Sequence, residues 1–169
     1  MTYHDCDICI IGGGSAGLSL AAGAAQMGAN ILLFEAGAMG GDCLNSGCVP
    51  SKALLAAAKA AHHAHGAPRM GVMGKPPQIN FAAVKAHVAA VIDSIAPHDS
   101  IARFEALGVT VISEHAAFSG PREAASKHHT VRAKYFVIAS GSQPAMPLID
   151  GLSDIDFYTN ETILSLIHI

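Results

Sequence analysis

Two cysteines stand five residues apart, at Cys43 and Cys48, in the stretch GGDCLNSGCVPSK that runs from Gly40 to Lys52. Thiols so placed have three chemical uses: to ligate a metal, to close a structural disulfide, or to open and close as a redox couple. Regular structure keeps them apart, because a five-residue step puts them on different faces of a helix and on opposite sides of a strand. Asn45-Ser46-Gly47 between them suits an irregular turn that brings the sulfurs together. A helix is expected to start near Cys48, with Lys52 four residues later. A helix N-terminus and a nearby cation both favour thiolate, the reactive form.

The competing readings need more than the sequence offers. Structural zinc takes four ligands, so two more would have to come from His62, His63 or His65, a cluster that reads as the solvated end of an exposed helix. Cys6 and Cys9 form a second close pair. Their odd spacing on a first strand is expected to point them to opposite faces, as small core residues. His128-His129 reads as a polar turn.

A second constellation lies near the start of the chain. Gly12-x-Gly14-x-x-Gly17 follows an apolar run and opens a run of small residues at helical spacing. Gly12 permits a tight turn, Gly14 lets backbone approach a pyrophosphate, and Gly17 lets helix and strand pack closely. The N–H groups at the helix start, around Ser15 and Ala16, suit phosphate oxygens. Glu35 stands 23 residues after Gly12, where a carboxylate accepts hydrogen bonds from a ribose. No arginine follows it, which disfavours an extra phosphate on that ribose. The motif does not separate FAD from NAD.

These groups need elements to hold them. Asp7–Ile11 and Asn30–Glu35 read as buried strands, with a helix over Gly14–Gly28 between them, so the first 35 residues form a βαβ unit and imply a parallel sheet. Ser51–His65 reads as an alanine-rich helix, Gly66–Pro77 as a loop, and Phe81–Ile95 as a helix stopped near Pro97. Val109–Ile112 and Tyr135–Ala139 read as strands, with a turn at Gly120-Pro121. The alternation argues for an α/β fold.

Composition narrows the function classes. The 169 residues are 51% hydrophobic and 14% charged, which suits one globular domain. A net charge of −3 and a pI near 6.3 give no basic footprint, so nucleic acid is not an expected partner. The apolar stretch from Ile8 to Ala25 follows Asp5 and Asp7 and is broken by glycines, so neither a signal peptide nor a membrane span is expected. The cytoplasm is the expected compartment, where purely structural disulfides are rare.

Together these residues resemble the pyridine nucleotide–disulfide oxidoreductases. GGDCLNSGCVPSK is similar to the family's redox-active segment, CIIGGGSAG with LLFEA to its FAD phosphate loop and ribose strand, and FVIASGSQPAMP to its second FAD segment, with Ser140 in place of the usual threonine. The Cys-Leu-Asn-x-Gly-Cys-x-Pro-Ser-Lys form resembles the dihydrolipoamide dehydrogenase and mercuric reductase branches.

The resemblance implies a Rossmann-like FAD-binding domain with a parallel sheet and a helical excursion over residues 1–147. Residues 148–169 would then begin the connection to an NAD(P)-binding domain, before which the chain is truncated. It implies FAD at Gly12, Gly14, Ser15, Ala16, Gly17, Glu35, Lys52, Ala116, Ser140, Gly141 and Ser142. Cys48 would be the thiol nearer the flavin and Cys43 the thiol that attacks substrate. Electrons would pass from NAD(P)H to FAD, to the Cys43–Cys48 disulfide, and on to a small-molecule disulfide or Hg(II). A homodimer is implied for the full-length enzyme, and no activity for the piece alone. A non-catalytic flavin-binding fragment is the rival reading, and a zinc-binding interaction module a third.

Overall fold

The structure, a computed structural model, describes residues 1–164. The expected βαβ unit is present. Strand β1, Thr2–Ile11, leads through helix α1, Ser15–Gln26, to strand β2, Ile31–Phe34, which pairs in parallel with β1. All four β2 residues are buried, as in a strand covered on both faces. Ile31 and Leu33 face one cluster with Ile10, Leu18 and Phe104. Leu32 and Phe34 face the other, with Cys9, Ile112 and Val131.

A helical excursion follows β2. It comprises α2 (Gly41–Asn45), α3 (Cys48–Gly66), α4 (Phe81–Ile95) and α5 (Ile101–Ala106). The chain then returns to the sheet as β3, Thr110–Ile112, parallel to β2. Next come β4 (Ala117–Gly120), β5 (Glu123–Ala125) and β6 (His129–Ile138). The short helix α6, Asn160–Ile163, closes the described chain. The last five residues of the expected connection over 148–169 lie outside the described residues.

The strand order is β3-β2-β1-β6-β5-β4. The first four strands are parallel, while β5 runs antiparallel to β6, and β4 antiparallel to β5. The sheet is therefore mixed at one edge. The expected turn at Gly120-Pro121 joins β4 and β5, two strands that the sequence hid because both are short and mostly alanine, serine and glycine. Central β1 has β2 on one side and β6 on the other. Its carboxyl end is thus a topological switch point, the place where open α/β sheets bind ligands.

Two expectations are corrected here. Cys6 and Cys9 are buried core residues, but they pack in one cluster rather than on opposite faces. The alternation of β1 breaks at Asp7: the Asn30 carbonyl accepts from the N–H groups of both Asp7 and Ile8, at 2.9 and 3.3 Å. Burial pushes the Cys6 and Cys9 thiols up to about 11 and about 12, so both stay protonated and inert at neutral pH. His128-His129 is more than a turn. His129 opens β6 and its ring nitrogen lies 2.9 Å from that of His4 on β1, while the His128 ring meets the Glu114 carboxylate at 2.5 Å.

Candidate active site

At the end of β1 the chain turns sharply. Gly12 has φ +114°, and a Cβ there would lie 2.2 Å from the Ala139 carbonyl oxygen. A Cβ at Gly17 would lie 1.9 Å from the Gly12 carbonyl oxygen, so both glycines are required by close packing of loop, strand and helix. Gly14 differs. Its φ of −84° is ordinary, and a Cβ there would meet only the Gly41 Cα, at 3.7 Å. Its missing side chain leaves room for something else.

Gly14 is also the N-cap of α1, and no side chain caps that helix start or places an acid in its first turn. The first N–H groups of α1 are thus open to an anion. Glu35 lies over the same loop. Its two carboxylate oxygens accept from the N–H of Gly13 at 2.5 Å and of Gly37 at 2.6 Å, which fixes the carboxylate while leaving lone pairs for a further donor.

The cysteines are brought to this loop by a second set of glycines. Gly40 donates its N–H to the Gly13 carbonyl at 2.9 Å, and a Cβ on Gly41 would lie 2.8 Å from Gly14 Cα. The short helix α2 thus starts against the Gly12–Gly14 loop and carries Cys43. Gly47 then turns the chain back, and Cys48 is the first residue of α3, as expected. Both cysteines are free thiols, Cys43 half-buried and Cys48 exposed. They are neighbours, and both Cys48 and Ser15, at the start of α1, act on the titration of the Cys43 thiol.

At Cys43 the balance of neighbours runs against thiolate. The hydrogen bond with Cys48 pushes its pKa up, burial adds to that, and Ser15 and the Lys52 charge pull only partly the other way. In the dithiol state Cys43 therefore holds its proton.

A cavity of about 1080 Å³ runs along the carboxyl ends of the parallel strands, at the upper end of the size of small-molecule sites. Gly12, Gly14, Ser15, Ala16, Glu35, Cys43, Ala116, Ser140, Gly141 and Ser142 all line it. Gly17 does not, in keeping with its packing role. Cys48 and Lys52 are also off the cavity wall, although the Lys52 charge reaches Cys43. The sequence reading missed Glu114 and His115, which line the cavity beside Ala116. Glu114 is held at about 2 by hydrogen bonds from Ser126 and His128, and no local motif announces partners that distant.

Among the described residues, no group of three or more His, Cys, Asp and Glu side chains is placed to hold a metal ion, and His62, His63 and His65 are exposed. No helix of the described residues is long and apolar enough to cross a membrane.

The glycine loop and Cys43 line one cavity, with Cys48 nearby, and to this is added a direct match: residues 6–166 fit the family described as Pyridine nucleotide-disulphide oxidoreductase. The chain belongs to that family. Pyridine nucleotide-disulphide oxidoreductases use FAD and NAD(P)H. The chain is 34% identical over 166 residues to the mercuric reductase of Streptomyces lividans, covering 95% of this chain and 35% of that protein. It is 37% identical over 142 residues to the dihydrolipoyl dehydrogenase of Thermus scotoductus, covering 84% and 30%. The fold is also that of a Cu(II) complex of the HOCl-induced flavoprotein disulfide reductase RclA from Escherichia coli, with a TM-score of 0.77 at 23% identity, over 95% of this chain and 34% of that one. The chain thus spans about a third of the length of these relatives.

Proposed function

We propose that the chain is the FAD-binding, thiol-bearing portion of an NAD(P)H-dependent reductase whose acceptor is a small-molecule disulfide or Hg(II). The observation that carries this reading is the position of Cys43, which lines the same cavity as the glycine loop and has Cys48 close enough to act on its titration. Residues 1–147 form the FAD-binding unit, and 148–169 lead toward an NAD(P)-binding unit. The whole enzyme works as a cytoplasmic homodimer.

The residues present fit FAD. Gly14 is bare toward the cavity, and the uncapped start of α1 at Ser15 and Ala16 receives the pyrophosphate. Glu35 accepts from ribose hydroxyls, and Ser140, Gly141, Ser142 and Ala116 wall the remainder, while Lys52 adds positive charge near the thiols. When bound, FAD supplies a two-electron relay between NAD(P)H and the thiol pair. The pair itself carries out the exchange. Cys43, once deprotonated, attacks one sulfur of the acceptor disulfide, whose S–S bond breaks and whose other half leaves as thiolate. Cys48 then attacks the Cys43 sulfur, releases the second thiolate and closes the Cys43–Cys48 disulfide. The acceptor gains two electrons and the dithiol loses two.

The test is flavin retention. Chain refolded or purified with excess FAD and then desalted is expected to keep the flavin absorbance. Gly14→Val should abolish it by filling the approach to the phosphates. Glu35→Ala should weaken it by roughly 1–3 kcal/mol, the penalty of leaving buried hydroxyls unpaired. Full retention by both variants overturns the assignment.

A further inference from the structure

Cys43 borders a second, smaller cavity as well. It measures about 260 Å³ and is walled by α1, the α2–α3 corner, and the segment from the end of α4 into α5. Its apolar wall includes Leu18, Leu44 and Ile95, and two charged residues, Asp99 and Arg103, share it with the Cys43 thiol. The Asp99 carboxylate lies over the start of α2, where a Cβ on Gly40 would stand 3.1 Å from its Oδ2. Arg103 donates through Nη1 to the His98 carbonyl at 2.5 Å and stacks over Phe104, 5.2 Å from the ring centroid.

Neither charge is neutralised locally. The ion pairs among the described residues are His128–Glu114, Arg132–Asp5 and Lys134–Asp7, so Asp99 and Arg103 pair neither with each other nor with another ion. The Asp99 carboxylate accepts no hydrogen bond among the described residues. A redox-active cysteine thus borders a small, largely apolar cavity that presents one negative and one positive group without an ion-pair partner. A volume of 260 Å³ holds about nine waters at roughly 30 Å³ each, which admits half of a small disulfide and excludes a folded protein.

We propose that this cavity sorts the acceptors of Cys43 by charge and selects a small zwitterionic disulfide of the amino-acid type, its ammonium on Asp99 and its carboxylate on Arg103. This rests on the redox role of Cys43 proposed above. The step it governs is the first exchange: the Cys43 thiolate bonds to one acceptor sulfur, the acceptor S–S bond breaks, and the second half leaves as thiolate and takes up a proton from solvent. Asp99 and Arg103 position the acceptor and take no part in bond making.

The experiment traps that step. In a Cys48→Ser background no second thiol releases the mixed disulfide, so its formation at Cys43 is followed by mass spectrometry. The probes are cystine (zwitterionic), cystamine (dicationic), dithiodipropionate (dianionic) and hydroxyethyl disulfide (neutral). For each protein the charged acceptors are read as a ratio to the neutral one, and variants are compared on the same acceptor, which cancels the acidity of the leaving thiol.

Asp99→Asn should lower the cystine and cystamine ratios and raise that of the dianion. Arg103→Gln should lower the cystine and dianion ratios and raise that of cystamine. Each change should be about two- to five-fold, the size of a solvent-exposed ion-pair effect, and should shrink as salt is added. Arg103→Lys should keep the parent order. Ratios that are the same in Asp99→Asn, Arg103→Gln and the parent overturn the charge sorting and leave the redox reading intact. Failure of Cys43 to form a mixed disulfide with any acceptor overturns both.

Discussion

Gly47 meets Asp42 backbone to backbone: a Cβ on Gly47 would stand 2.8 Å from the Asp42 carbonyl oxygen and 3.6 Å from Cys43 Cα. This contact folds the start of α3 back over α2 and makes neighbours of Cys43 and Cys48. Gly47→Ala must push the two segments apart. The variant disulfide is expected to be easier to reduce, with an effective concentration of the two thiols about tenfold lower and a potential about 30 mV higher. Equilibration in glutathione buffers, with alkylation of the free thiols, measures it. An unchanged potential would mean that the turn absorbs the methyl group at no cost to the pair.

Cys43 should titrate according to its neighbours. Its thiol is pushed up first by the hydrogen bond with Cys48 and pulled down by Ser15 and Lys52. Cys48→Ala removes the largest upward cause, so the pH–rate profile for alkylation of Cys43 should move to lower pH. Ser15→Ala and Lys52→Ala should each move it to higher pH. Peptide-resolved alkylation with iodoacetamide follows the site. A Cys48→Ala profile that stays put or moves upward contradicts the pairing of the two sulfurs.

The three motif glycines should part company when each is replaced by alanine. At Gly17 the added carbon collides with backbone at 1.9 Å, and the expected loss of stability is about 1–3 kcal/mol or more. At Gly14 the added carbon meets nothing closer than 3.7 Å, so stability should fall by no more than about 1 kcal/mol while flavin retention drops sharply. Urea unfolding of the flavin-free proteins, beside their flavin content, separates the two effects. Gly12→Ala should behave as Gly17→Ala does, because its added carbon would also collide with backbone, 2.2 Å from the Ala139 carbonyl oxygen, at a position whose φ is +114°.

Glu114 sets an acid limb. Hydrogen bonds from Ser126 and His128 hold its carboxyl at about 2, against an ordinary value of 4.5. A depressed folded-state pKa contributes stability above the unfolded value, and that contribution is lost as pH falls toward the folded one. The parent should therefore exceed Glu114→Gln in stability above pH 4.5, and the gap should close between pH 4.5 and about 2. Denaturant titrations over that range test it, and a gap that widens as pH falls would show that Glu114 is not held as an anion.

Short-range patterns were legible in the sequence. The β1–α1–β2 unit follows from apolar runs and small residues at helical spacing, and the glycines at 12 and 17 announce their packing roles because each is a local backbone matter. Helix α4 begins and ends where Phe81 and the residues before Pro97 indicate, with Asn80 as its side-chain cap. The start of α3 was readable to within a turn: the alanine-rich pattern runs from Ser51, and the helix begins at Cys48.

What only the tertiary structure decided arises from distant residues. The two cysteines of β1 share a cluster because Asn30, more than twenty residues away, bonds both Asp7 and Ile8 and breaks the strand's alternation. Strands β4 and β5 exist because β6 offers an edge to pair with, not because alanine favours strands. The protonated state of Cys43 reflects a balance of Cys48, burial, Ser15 and Lys52, and a spacing rule carries only the direction of Lys52. Asp99 and Arg103 lie more than fifty positions from Cys43, with nothing in their own neighbourhood to mark them. They share a cavity with it because α5 packs its Phe104 into the core and the adjoining residues reach the wall that Cys43 also lines. Local propensity and glycine sterics act over a few residues and are written in order along the chain. Charge, burial and cavity shape act through space and exist only once the chain has folded.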